Sequence, residues 1–149
     1  MHIIKFCIYF AGNLLLKMNI GDIIKKAGLR ATPQRKMIYE IMTELGHGSI
    51  DEIITRMQQQ HPEITISTVY RIMDSFCMAG LLSRLNHPNG KCFYDITSTA
   101  HHHVIRGDQV IDYIDPELTD MIKNHLKGDL FKQSNIEKIS IQITITHKN

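Results

Sequence analysis

Val69, Ile72, Met73 and Phe76 recur at the i, i+3, i+4, i+7 spacing of one helical face, and a hairpin pattern follows at once. The spacing predicts a helix that opens at Ser67 and closes at Gly80, with Thr68, Tyr70, Arg71, Asp74 and Ser75 on its outer face. Two short strands, 81–85 and 92–96, flank the turn Asn86-His87-Pro88-Asn89-Gly90. Three helices precede this one in the pattern. The first covers 20–27 and stops at Gly28; the second has Thr32 as N-cap and Pro33 at its first position, and stops at Gly46. The third opens on Ser49-Ile50-Asp51-Glu52, a capping box, with Ile50, Ile53, Ile54 and Met57 on one face. Helices followed by a hairpin describe a winged helix over residues 18–97, with the last helix in the position that enters a DNA groove.

Beyond residue 98 the pattern changes. Segments 103–106 and 109–114 form a second hairpin around Gly107-Asp108, and 116–126 reads as a helix capped by Asp115. Segment 136–146 alternates, with Ile139, Ile141, Ile143 and Ile145 on one face, and reads as a strand. The class is therefore α+β: a winged-helix DNA-binding domain followed by a small α/β domain at 98–149. A core of about fifty residues rarely stands alone, so the isoleucine sheet is expected to pair with its copy in a homodimer.

Composition narrows the chemistry. Net charge is only +2, so DNA contact requires a local basic patch. Cys7, Cys77 and Cys92 are far apart and form no C-x-x-C pair, which argues against a disulfide framework and a thiolate zinc knuckle. Any metal must then bind through histidine and carboxylate. The run His101-His102-His103, between Asp95 and Asp112, is a mixed nitrogen and oxygen set of that kind. On a strand, His101 and His103 project from one face and His102 from the other. The apolar stretch within 1–17 is short for a membrane span, and Met18 reads as a natural start; no function is assigned to this segment. No membrane partner is expected, and a cytoplasmic location is.

The chain resembles the ferric uptake regulator (Fur) family of metal-dependent repressors. The motifs are L-R-A-T-P-Q-R at 29–35, His47, S-T-V-Y-R at 67–71, A-G-L-L at 79–82, Y-D-I-T at 94–97 and the histidines at 101–103. The resemblance covers about residues 20–149. It implies a homodimer that binds double-stranded operator DNA when a divalent ion, Fe2+, Mn2+ or Zn2+, occupies a hinge site. The ligands it implies are His47, Asp95, His101, His103 and Asp112. Aspartate at 112 resembles the peroxide-sensing branch, whereas Arg71 resembles the iron- and zinc-uptake branches. Many relatives hold structural zinc with two C-x-x-C pairs. Here Arg106-Gly107-Asp108 replaces the first and the Ile-Thr strand the second, so no structural zinc held by four cysteines is expected. A further family site retains only His102 and Glu137, because Ala100 and Thr119 stand at two of its positions.

For DNA, the expected contacts are Tyr70 and Arg71 in the groove, and Ser67 and Thr68 at a helix N-terminus that favours phosphate. Arg35 and Lys91 are expected at flanking phosphates, with His87 on the wing. Two other functions compete. A winged-helix regulator that has lost metal sensing would ignore replacement of His101 and His103. A small metalloenzyme would need an open coordination position and a general base; five candidate ligands leave little room, and no base stands out.

Overall fold

The computed structural model describes residues 19–97, 100–126 and 139–145. The chain divides after Thr97 into two compact units. The apolar segment 1–17, Cys7 and Glu137 lie outside the described residues.

The first unit begins with α1 (Ile20–Lys26), α2 (Pro33–Leu45), a short strand β1 (His47–Ser49) and α3 (Ile50–Gln60). It continues with α4 (Ile66–Met78), β2 (Ser83–Asn86) and β3 (Cys92–Asp95). Each helix starts where a side chain satisfies an otherwise orphaned amide. Asn19 accepts from Gly21 N at 2.8 Å, Thr32 from Arg35 N at 3.3 Å, and Ser49 from Glu52 N at 3.2 Å. α2 ends at Gly46, whose φ of 72° lies in the left-handed region that glycine occupies at no steric cost.

Two expectations need correction. α4 opens at Ile66, one residue earlier than the pattern suggested, because Thr65 is its N-cap and accepts from Thr68 N at 3.3 Å. Ser67 and Thr68 therefore sit inside the first turn. β1 was not foreseen, since three residues are too few to show alternation. It completes an antiparallel sheet of order β1-β3-β2 in which His47 stands opposite Asp95.

The inner faces of the four helices meet in one core. Ile38, Met42, Ile53, Met57, Val69, Met73 and Phe76 are fully buried there, with Tyr94 from β3. The Tyr39 and Phe76 rings meet edge to face at 5.9 Å, a favoured aromatic geometry. Burial of each large apolar side chain stabilises by about 1.5–3 kcal/mol, and this is what presents α4 with its other face outward. Ser67, Tyr70, Arg71 and Asp74 are exposed on that face.

The second unit holds β4 (His102–Arg106), β5 (Gln109–Tyr113), α5 (Pro116–Leu126) and β6 (Gln142–Ile145). Its sheet order is β5-β4-β6, with β4–β5 antiparallel and β4–β6 parallel. A parallel neighbour requires a long crossover, and the chain between β5 and β6, which includes α5, supplies it. Across the sheet, Ile111, Val104 and Ile143 form one row, while Ile105 and Val110 lie on the opposite, buried face. Ile111, Ile143 and Ile145 remain exposed.

Candidate metal centre and DNA-facing surface

β4 and the residue before it carry the histidine run. Period-2 alternation turns His101 and His103 to one side and His102 to the other, and all three are buried, at 2%, 0% and 2% exposure. Burying three imidazoles is costly unless each is engaged. On the first side, His101 Nε2 and His103 Nε2 are 3.0 Å apart, their rings nearly perpendicular at 74°. The β4–β5 register puts Asp112 opposite His103, and Asp112 Oδ1 lies 3.9 Å from His101 Nε2 and 3.7 Å from His103 Nε2. Asp112 is about one-third exposed, at 34%, so the cluster opens to solvent on its carboxylate side.

Three donor atoms thus converge from two neighbouring strands. Two nitrogens that each stand about 2.1 Å from one ion, at roughly right angles, are separated by about 3 Å. The His101–His103 spacing fits that requirement. Two imidazoles and a carboxylate form a borderline-to-hard set that suits Fe(II), Mn(II) or Zn(II).

The other two expected ligands belong to the first unit. His47 and Asp95 face each other across the β1–β3 ladder, and Asp95 is also opposite Ser83 on β2. Asp95 is 2% exposed, and its Oδ1 accepts from Thr97 N at 2.9 Å, which fixes the carboxylate at the end of the central strand. Two of the five residues thus belong to the first unit and three to the second.

His102 occupies a different setting. Its Nε2 is 2.9 Å from Thr119 Oγ1 on α5, and its Nδ1 accepts from Ile141 N at 3.3 Å. Glu137, its expected companion, lies outside the described residues.

Around the start of α2 and the first turns of α4, the first unit carries a concavity of about 280 Å³. Arg30, Thr32, Gln34, Arg35, Thr68 and Arg71 line it. Arg35 Nη1 donates to the Arg30 carbonyl at 2.9 Å, so the guanidinium of one is held in place by the backbone of the other. Among the described residues no carboxylate pairs with Arg30, Arg35 or Arg71. Three guanidinium groups around one hollow form the local basic patch that a net charge of +2 made necessary. Arg35, Thr68 and Arg71 were expected at DNA; Arg30 and Gln34, which line the same hollow, were not singled out. The signal for Arg30 was present in the sequence, since it lies just before the N-cap that positions Arg35.

Tyr70 and Ser67 share the outer face of α4 with Arg71 but do not line the concavity. Thr65 Oγ1 engages Ser67 Oγ at 3.1 Å and Thr68 Oγ1 at 2.9 Å. Lys91 is exposed on the wing turn, where its amide donates to Asn89 Oδ1 at 3.0 Å. His87 is not offered to a partner. It is 6% exposed, lies 5.6 Å from the Phe93 ring and accepts from Asn89 N through Nδ1.

The sequence profile of the ferric uptake regulator family matches residues 26–145. The chain belongs to that family. The ferric uptake regulation protein of Escherichia coli strain K12 is 35% identical over 100 residues, covering 64% of this chain and 68% of that protein. Among solved structures, the ferric uptake regulator of Pseudomonas aeruginosa with manganese matches with a TM-score of 0.73 at 23% identity, over 89% of this chain and all of that one. The Campylobacter jejuni peroxide stress regulator matches with a TM-score of 0.65 at 26% identity, over 89% of this chain and 98% of that one. As in other Fur regulators, a winged helix precedes a small α/β domain. The chain is a transcription regulator, not an enzyme. No described helix is long and apolar enough to cross a membrane.

Proposed function

We propose that this Fur-family chain is a metal-responsive repressor that binds operator DNA as a homodimer in the cytoplasm. The observation that carries the reading is the convergence of His101 Nε2, His103 Nε2 and Asp112 Oδ1 within 3.9 Å of one another in a mostly buried cluster. His47 and Asp95, one opposite the other in the first unit, complete the proposed ligand set. A bound divalent ion supplies a cross-link between ligands that belong to separate units. Binding then shifts the population towards the arrangement that fits two operator half-sites.

Each group has a separate task in this reading. The arginines around the concavity neutralise phosphate and align α4, while Tyr70 and Arg71 reach into the groove. Lys91 touches backbone from the wing. Exposed Ile111, Ile143 and Ile145 mark the face and edge strand through which a second copy docks, since an apolar sheet face in water favours pairing.

The test is fluorescence anisotropy of a labelled promoter fragment, first under chelator and then with Mn(II) or Zn(II). Metal is expected to tighten binding tenfold or more, about 1.4 kcal/mol of coupling. The double variant His101→Ala/His103→Ala is expected not to respond. Equal affinity under chelator and metal would overturn the reading in favour of a metal-independent regulator.

A further inference from the structure

The middle histidine of the run is the one that the metal reading leaves over. His102 is completely buried, and protein groups engage both of its ring nitrogens. An amide N–H can only donate, so the contact from Ile141 N makes Nδ1 the acceptor and leaves the ring proton on Nε2. That proton points to Thr119 Oγ1 at 2.9 Å, and the Thr119 hydroxyl in turn donates to the Asp115 carbonyl at 2.9 Å. The chain of donors runs in one direction from Ile141 to Asp115, with a neutral imidazole in the middle. It joins three parts of the second unit: β4, α5 and the approach to β6. Ile141 is held twice, because its carbonyl also accepts from the amide of His103 at 2.8 Å.

We infer that His102 is a positioning residue for the metal site and not a ligand. Neither nitrogen has a lone pair to give, since Nδ1 is occupied by an amide and Nε2 carries the proton. On a strand, adjacent side chains project to opposite sides, so a fastener at His102 fixes the direction in which His101 and His103 project. Orientation of metal ligands by hydrogen-bonded neighbours commonly accounts for about 10–100-fold in affinity. The inference rests on the metal reading above for what is being positioned. The ring tautomer and its two partners are independent of it.

The experiment uses full-length protein labelled with 15N-histidine, with ring nitrogens followed by NMR under chelator and then with one equivalent of Zn(II). His102 is expected to be neutral and Nε2-protonated in both conditions, while Zn(II) shifts the ring nitrogens of His101 and His103. Thr119→Val is expected to weaken Zn(II) binding about tenfold or more in chelator competition and to leave stoichiometry unchanged. In His102→Asn, whose amide oxygen can still accept from Ile141 N–H, affinity is expected to recover part of what His102→Ala loses. Slow hydrogen exchange at Ile141 is expected in wild type and faster exchange in His102→Ala, without any metal. A Zn(II) shift at the His102 nitrogens would overturn the inference by making it a ligand. So would unaltered affinity in Thr119→Val while His101 and His103 respond. If Zn(II) moves none of the three rings, the metal reading fails and the inference with it.

Discussion

His103 and Asp112 stand opposite each other across the β4–β5 ladder, and the side chains keep that register, with Nε2 3.7 Å from Oδ1. A cross-strand pair of this kind needs no loop to bring it together, so the hairpin itself sets the ligand geometry. Asp112→Asn preserves shape and removes the charge. It is expected to weaken Mn(II) or Zn(II) binding by at least about tenfold, an effect of about 1.4 kcal/mol or more, as read by chelator competition. Asp112→Glu moves the carboxylate out of register and is expected to fall between the two. Affinity equal to wild type in Asp112→Asn would remove Asp112 from the ligand set.

The corrected start of α4 gives a second test. Thr65, not Ser67, caps the helix. Thr65→Ala is expected to cost about 1 kcal/mol of stability, whereas Ser67→Ala is expected to cost only a few tenths. Urea denaturation of the two variants separates them. Reversal of that order would return the helix start to Ser67.

The same comparison indicates what the sequence could convey. The helical face of Val69, Ile72, Met73 and Phe76 is a local pattern, and the core uses all four residues. The start of α4 was placed one residue late because Ser67, like Thr65, carries a hydroxyl that can cap a helix, and the outcome depends on which hydroxyl meets an amide. β1 had too few residues to show a period. The parallel pairing of β4 with β6 joins segments about forty residues apart, which no window can detect. The site divides in the same way. Alternation and family motifs pointed to His101, His103 and Asp112, whereas the partners of His102 lie 17 and 39 residues away and depend on tertiary structure.

Phe76 is fully buried and meets Tyr39 edge to face. Phe76→Ala is expected to destabilise the winged helix by about 3–5 kcal/mol, which is a large fraction of the stability of a typical domain. Phe76→Leu keeps most of the volume and is expected to cost less than half as much. Thermal unfolding followed by circular dichroism measures both. A small loss in Phe76→Ala would mean that the helices are not packed around it.

The described cysteines are expected to differ from ordinary exposed thiols in at least one case. Burial pushes the Cys77 thiol up from its usual range, and the Asp74 carboxylate adds to the shift, with Arg84 opposing it. The thiolate is the reactive form. Alkylation of Cys77 by iodoacetamide is therefore expected to be slower near pH 8 than that of a free thiol, with the rate still rising above pH 9. Asp74→Asn is expected to quicken it. Peptide-resolved mass spectrometry of the labelled protein provides the rate, and fast labelling at neutral pH would contradict the burial.

Asp115 gives a pH dependence whose sign can be worked out in advance. Its carboxylate is held below the usual range, first by the Leu118 amide at 2.9 Å and then by the Tyr113 hydroxyl at 3.0 Å. A folded-state value below the unfolded one means that folding favours the ionised form. The resulting stabilisation is complete above the unfolded value of about 3.9 and is lost as pH falls through the lower folded value. Asp115→Ala is accordingly expected to lower the melting temperature at pH 7, and the gap from wild type is expected to narrow as pH drops below about 4. Because Asp115 caps α5 and its carbonyl ends the chain of donors from His102, the same variant is expected to quicken amide exchange at Leu118. A gap that stays constant between pH 7 and pH 3 would show that the carboxylate charge takes no part in holding the helix.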